Sequence, residues 1–125
     1  MEQFITAEYL EQNPNHIFVF GDNLDRRGTG GAAVLRHYPN TYGFVTKKRP
    51  TYNYSDFYTI DEYRLVYEAE LVKLIEQIKA NPDKLFLISK LGGGLANRHK
   101  IYENVIGPRI RADLMGYSNV KFLFD

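Results

Sequence analysis

Two glycine-rich stretches carry most of the chemistry this chain could do. Residues 16–39 read HIFVFGDNLDRRGTGGAAVLRHYP and residues 85–100 read LFLISKLGGGLANRHK. In each, an apolar run closes on glycine: Gly21 in the first, with Gly28, Thr29, Gly30 and Gly31 following, and Gly92, Gly93 and Gly94 in the second. Glycine lets the backbone come close to a ligand and lets successive N–H groups converge on a phosphate. A helix start behind such a loop adds partial positive charge. Two loops facing each other would suit a diphosphate. Neither matches the GxGxxG dinucleotide fingerprint or the phosphate loop ending in Gly-Lys-Ser/Thr, and a glycine cluster on its own can equally be a tight turn.

The side chains around these loops add candidates. Asp22 and Asn23 follow the first apolar run directly; they can read hydroxyls or an exocyclic amine, or cap the next turn, as Asx residues do. Arg26 and Arg27 could hold phosphate bidentately or stand in solvent. Lys47, Lys48 and Arg49 form a basic run that could attract an anion or mark a solvated strand exit. His99 is the histidine beside a glycine loop and thus the natural acid–base candidate, whereas His16 and His37 read as structural. Tyr52, Tyr54 and Tyr102 could stack on a base or simply pack. There is no HExxH, no clustered His/Asp set at metal-ligand spacing and no Gly-x-Ser-x-Gly. Cysteine is absent, which excludes disulfides, thiolate metal sites and a cysteine nucleophile. The expectation is a site without metal or cofactor.

These residues need a scaffold, and the sequence outlines one. Residues 6–11 read as a short helix capped by Thr6, and Asn13-Pro14-Asn15 stops it. Ile17-Phe18-Val19-Phe20 and Leu85-Phe86-Leu87-Ile88-Ser89 are continuous apolar runs of the kind buried on both faces of a sheet. Residues 42–45 and 120–124 are further strand candidates. Residues 30–36 read as a short helix. Residues 59–80 are the clearest helix: Thr59 precedes Asp61 and Glu62, as at a helix start, and Leu65, Ala69, Val72, Ile75 and Ile78 form one apolar stripe. Residues 102–115 read as a last helix with Pro108 as a first-turn residue or kink, ended by Gly116. Strands alternating with helices predict a three-layer α/β/α domain with a mostly parallel sheet. In such sheets ligands bind outside the carboxyl ends of the strands, where both glycine loops would meet.

The 125 residues correspond to one domain, 1–125. With 44% hydrophobic and 25% charged residues the composition is ordinary for a globular protein. A net charge of +1 gives no global field toward nucleic acid or membrane. No apolar run reaches the roughly 18 residues of a membrane span, and the polar start is no signal peptide. A cytoplasmic protein is expected.

At the level of element order and loop character the chain resembles the macro domain, the module that binds ADP-ribose. The similar pieces are VFGDN, GTGGAAVL, the long helix IDEYRLVYEAELVKLIEQIKA, LFLISKLGGGLANR and NVKFLFD. The likeness is to a compact, phage- or bacterium-type branch. It implies that Asn23 lies near the distal ribose, that Gly28, Gly30 and Gly31 flank that ribose and the phosphates, and that Gly92, Gly93, Gly94 and Leu95 form a pyrophosphate loop. Gly21, Arg27, Thr29, Lys90 and Asn97 complete the expected ligand-binding set. If the domain hydrolyses an ADP-ribosyl bond, Asn23 or Asp22 would orient ribose and water, with His99 or Arg98 stabilising charge by positioning and electrostatics. The implied partners are an ADP-ribose-like nucleotide and an ADP-ribosylated macromolecule. The family's usual Asn-Ala-Ala-Asn is here Gly21-Asp22-Asn23-Leu24, and the early strand whose Asp holds adenine has no counterpart ahead of His16. A different reading makes the glycine loops plain turns and gives contact with protein or nucleic acid to the basic, Tyr-rich residues 47–58, whose aromatics could stack on bases.

Overall fold

The computed structural model describes residues 2–125. Four strands, β1 (His16–Asn23), β2 (Thr41–Lys47), β3 (Leu85–Ile88) and β4 (Val120–Phe122), form one sheet in the order β2-β1-β3-β4. Every pairing is parallel. Parallel neighbours need crossover connections, and each is supplied. A 3₁₀ turn at Gly31–Leu35 joins β1 to β2, the helix α2 (Ile60–Ala80) joins β2 to β3, and a π-type turn at Tyr102–Ile106 with α3 (Ile110–Leu114) joins β3 to β4. The short α1 (Ala7–Gln12) precedes β1, with the Thr6 hydroxyl accepting from the Tyr9 N–H as its N-cap.

Alternation along the strands separates two apolar layers. Val19, Phe86 and Ile88 face α2 and the 101–114 segment, while Phe18, Phe20 and Leu87 face α1 and the Gly31–Leu35 turn. The result is the expected α/β/α arrangement with a parallel sheet. No helix among the described residues is long and apolar enough to cross a membrane.

Two elements differ from the sequence reading. The face α2 buries is not Leu65-Ala69-Val72: Leu65 is 78% and Val72 55% exposed. Of the expected stripe Ile78 is buried and Ile75 packs partly against the core, and Tyr63, Tyr67, Glu70, Leu71 and Leu74 go inside with Ile78. The tyrosines can be buried because their hydroxyls find acceptors: Tyr63 donates to the Val45 carbonyl at 2.6 Å and Tyr67 to Asp113 at 2.8 Å. Glu70 follows them because β2 is the edge strand, and the Val45 N–H donates to its carboxylate at 2.6 Å. The last helix is also broken. The Gly107 N–H donates to the Tyr102 carbonyl at 2.7 Å, a π-type bond, and regular helix resumes only at Ile110, beyond Pro108, which has no N–H to give.

Candidate functional site

β1 does not end as a plain strand. Its register with β2 shifts between Asp22 and Asn23, so that Asn23 pairs with Lys47. Bulges of this kind re-aim side chains at the end of a sheet. Asp22, 5% exposed, turns into the protein. Its Oδ1 accepts from Arg36 Nη2 at 2.7 Å, and its Oδ2 lies 3.3 Å from Arg26 Nη1. A Cβ at Gly43 would run into that carboxylate, so the glycine on β2 makes its seat. Arg26 also donates to the Gly43 carbonyl at 2.8 Å.

Arg36 binds Asp22 and the glycine loop together. Besides holding Asp22, it donates from Nε to the Gly28 carbonyl at 2.7 Å and from Nη2 to the Arg27 carbonyl at 3.1 Å. Asn23 secures the same loop from the other side: its Nδ2 donates to the Arg27 carbonyl at 2.7 Å and its Oδ1 accepts from the Asp25 N–H at 3.0 Å. With its carbonyls taken in this way, the loop leaves its donors open. Among the described residues no protein acceptor takes the N–H groups of Gly28, Thr29, Gly30, Gly31 or Ala32. Gly28 and Gly31 have φ of +95° and +58°, which L side chains seldom adopt.

The second loop closes on the first. Gly92 has φ +76°, and a Cβ there would come within 2.6 Å of Ile106 Cδ1. The Leu95 side chain lies against Gly30 and Gly31, where added Cβ atoms would sit 3.1 and 3.6 Å from its Cδ1. Both loops therefore line one cleft of about 630 Å³, together with Thr46, Lys47, Ser89 and Lys90 from the carboxyl ends of β2 and β3. That volume is in the range of small-molecule sites, about 300–1,000 Å³.

Of the residues singled out in the sequence, Gly21, Asp22, Asn23, Arg27, Gly28, Thr29, Gly30, Gly31, Lys90, Gly92, Gly94 and Leu95 line this cleft. Gly93, Asn97 and His99 do not. The Asn97 side chain donates to Glu103 at 2.9 Å and accepts from the Tyr102 N–H at 3.0 Å, fixing the loop's exit. His99 meets the rings of Tyr54 and Phe57 edge-on, with centroids 5.0 and 6.5 Å away, and its Nε2 has no hydrogen-bond partner among the described residues. The basic run is largely tied up within the chain. Lys48 pairs with Glu62 at 2.9 Å and Arg49 with the fully buried Asp56 at 2.5 Å.

The sequence reading passed over Arg36 and underrated Lys47. Arg36 follows a short apolar stretch and gives no signal except that an aspartate entering a buried strand end needs a cation. Lys47 is not a solvated strand exit, since it is only 8% exposed. Tyr52, a candidate for stacking on a base, is on the cleft wall, as are Phe4 and Pro50, which carry no such signal in the sequence.

Fold and cleft together define a three-layer α/β domain whose concave site lies at the carboxyl edge of a parallel sheet. Over residues 1–101, which include both glycine loops, the chain matches the model of a family of unknown function (DUF7831), and it belongs to that family. No curated protein and no solved structure matches it.

Proposed function

We propose that the cleft binds a nucleotide diphosphate of the ADP-ribose kind, as the resemblance to the macro domain implies. One observation carries this reading: two glycine loops from two parallel strands line a single cleft, and the first presents five consecutive N–H groups without an acceptor among the described residues. Converging N–H donors suit phosphoryl oxygens. Binding is better supported than bond cleavage. Both oxygens of Asp22 are held by guanidinium groups, the Asn23 amide braces the loop, and His99 stands outside the cleft.

Gly94 offers the test. It lines the cleft, and a Cβ there meets nothing within 4 Å, so a side chain can start at this position without a clash and Gly94→Phe puts bulk at the cleft. ADP-ribose, ADP, AMP and NAD are compared by thermal shift. A ligand at about 100 times its dissociation constant adds about 2.7 kcal/mol. The expected result is stabilisation of the wild type by at least one diphosphate and none of G94F, whose own melting temperature is unchanged. No shift with any of the four, or a shift that survives in G94F, would overturn the reading.

A further inference from the structure

We infer that Lys47 is the charge-bearing anchor of the cleft, its ammonium group pairing with a phosphoryl oxygen of the bound ligand beside the open N–H groups of the first glycine loop. This rests on the reading of the cleft as a nucleotide diphosphate site and names the residue that supplies its charge. Lys47 is buried at the end of β2 on the cleft wall. Its ammonium donates to the Thr51 carbonyl at 2.7 Å and lies 4.7 Å from the ring centroids of both Tyr52 and Phe57. Yet among the described residues it forms no ion pair.

Buried cations are normally paired with an anion, because taking a charge out of water is costly. One carbonyl and two aromatic faces replace only part of the lost hydration. Its neighbours Lys48 and Arg49 each have a carboxylate, so acids within reach were given to the outer cations and not to the buried one. Burial also pulls the Lys47 ammonium below the ordinary lysine value, with Asp56 opposing that shift.

The rest of the subsite is adjacent. Asn23 is the register partner of Lys47 on β1, and a Cβ at Gly28 would lie 3.0 Å from Pro50 on the segment leaving Lys47. The open turn that begins at Gly28 is therefore packed against the segment that holds the lysine. The N–H groups supply direction, and the ammonium supplies the charge that distinguishes a phosphate from a neutral oxygen.

The test titrates wild type, Lys47→Met, Lys47→Gln and G94F with ADP-ribose and with inorganic pyrophosphate, by calorimetry at two salt concentrations. Lys47→Gln keeps a donor for the Thr51 carbonyl, so it guards against a simple failure of folding in Lys47→Met. The expected result is a ten- to hundredfold loss of affinity for both ligands in the lysine variants, with a shallower salt dependence and melting temperatures at or above wild type. Affinity within twofold of wild type in a variant that folds, while G94F abolishes binding, overturns the role of Lys47 and leaves the cleft reading standing. Collapse of both lysine variants assigns the residue to the fold and overturns the inference as well. If wild type binds neither ligand, cleft reading and inference fall together.

Discussion

Arg36→Ala should be among the most damaging single changes behind the first glycine loop, because Arg36 holds both Asp22 and the Gly28 carbonyl. The Arg36 side chain is 11% exposed and that of Asp22 is 3% exposed. Breaking a buried pair from one side costs about 3–5 kcal/mol, chiefly because the remaining charge is left without compensation. Arg26 stays within 3.3 Å of Asp22 and is 48% exposed, so it recovers part of that. A net loss of about 3 kcal/mol follows, which for a chain of this length lowers the melting temperature by about 10 °C. Arg26→Ala removes the exposed member and should cost about 0.5–1 kcal/mol. If the stranded carboxylate is the cause, Arg36→Ala with Asp22→Asn should be no less stable than Arg36→Ala alone, since the second change removes the charge that the first exposed. Urea unfolding at neutral pH measures all four proteins. Equal losses for the two arginines, or a double variant clearly worse than Arg36→Ala, would refute the reasoning.

Glu70 and Asp56 give two further expectations. Glu70→Gln keeps an acceptor for the Val45 N–H and loses only the 3.5 Å contact with the exposed Lys73, so it should cost less than about 1 kcal/mol. Glu70→Leu strands that edge N–H and should cost about 1–3 kcal/mol in the same urea assay. Asp56 accepts from Thr51, Arg49 and the Asn53 N–H; the Thr51 bond first, then Arg49, holds its carboxyl below the ordinary value against the opposing effect of burial. The folded pKa is thus the lower one and the unfolded chain takes up the proton first, so its contribution is complete above about pH 4 and is lost as pH falls further. Asp56→Asn should flatten the acid limb of a stability–pH profile. Glu62 and Glu103, depressed by their own hydrogen bonds, should keep that limb from vanishing. An unchanged limb would show that Asp56 does not carry the linkage.

Much of the scaffold was legible because its signals are local. The runs Ile17-Phe18-Val19-Phe20 and Leu85-Phe86-Leu87-Ile88 had nowhere to go but a sheet covered on both sides. Thr59 announced α2, whose capping box with Glu62 is formed from both directions at 3.2 and 2.9 Å. The buried face of α2 is only partly legible: a stripe of aliphatic residues reaches Ile78, but it passes over tyrosine and glutamate and, started at Leu65, runs beside Leu71 and Leu74. Tyr63, Tyr67 and Glu70 belong inside only when the Val45 carbonyl, Asp113 and the Val45 N–H are there to meet them, and those partners lie 18, 46 and 25 residues away.

The same distinction runs through the site. Glycines at strand ends predict a place, because a parallel sheet sends all its carboxyl ends to one edge, and both loops are there. They do not predict which charges face the cleft, since charge assignment depends on contacts between segments. Asp22, a plausible reader of ribose hydroxyls, is claimed by Arg36 from fourteen residues away. Lys47, first of a basic run that could attract an anion or mark a solvated strand exit, is the one its neighbours' carboxylates leave out. In this cleft the acid nearest the strand end is committed to holding the loop, and the buried cation pairs with no acid among the described residues. An anionic ligand is the partner that would redress that imbalance, and a neutral side chain at position 47 is the change that would remove the need for it.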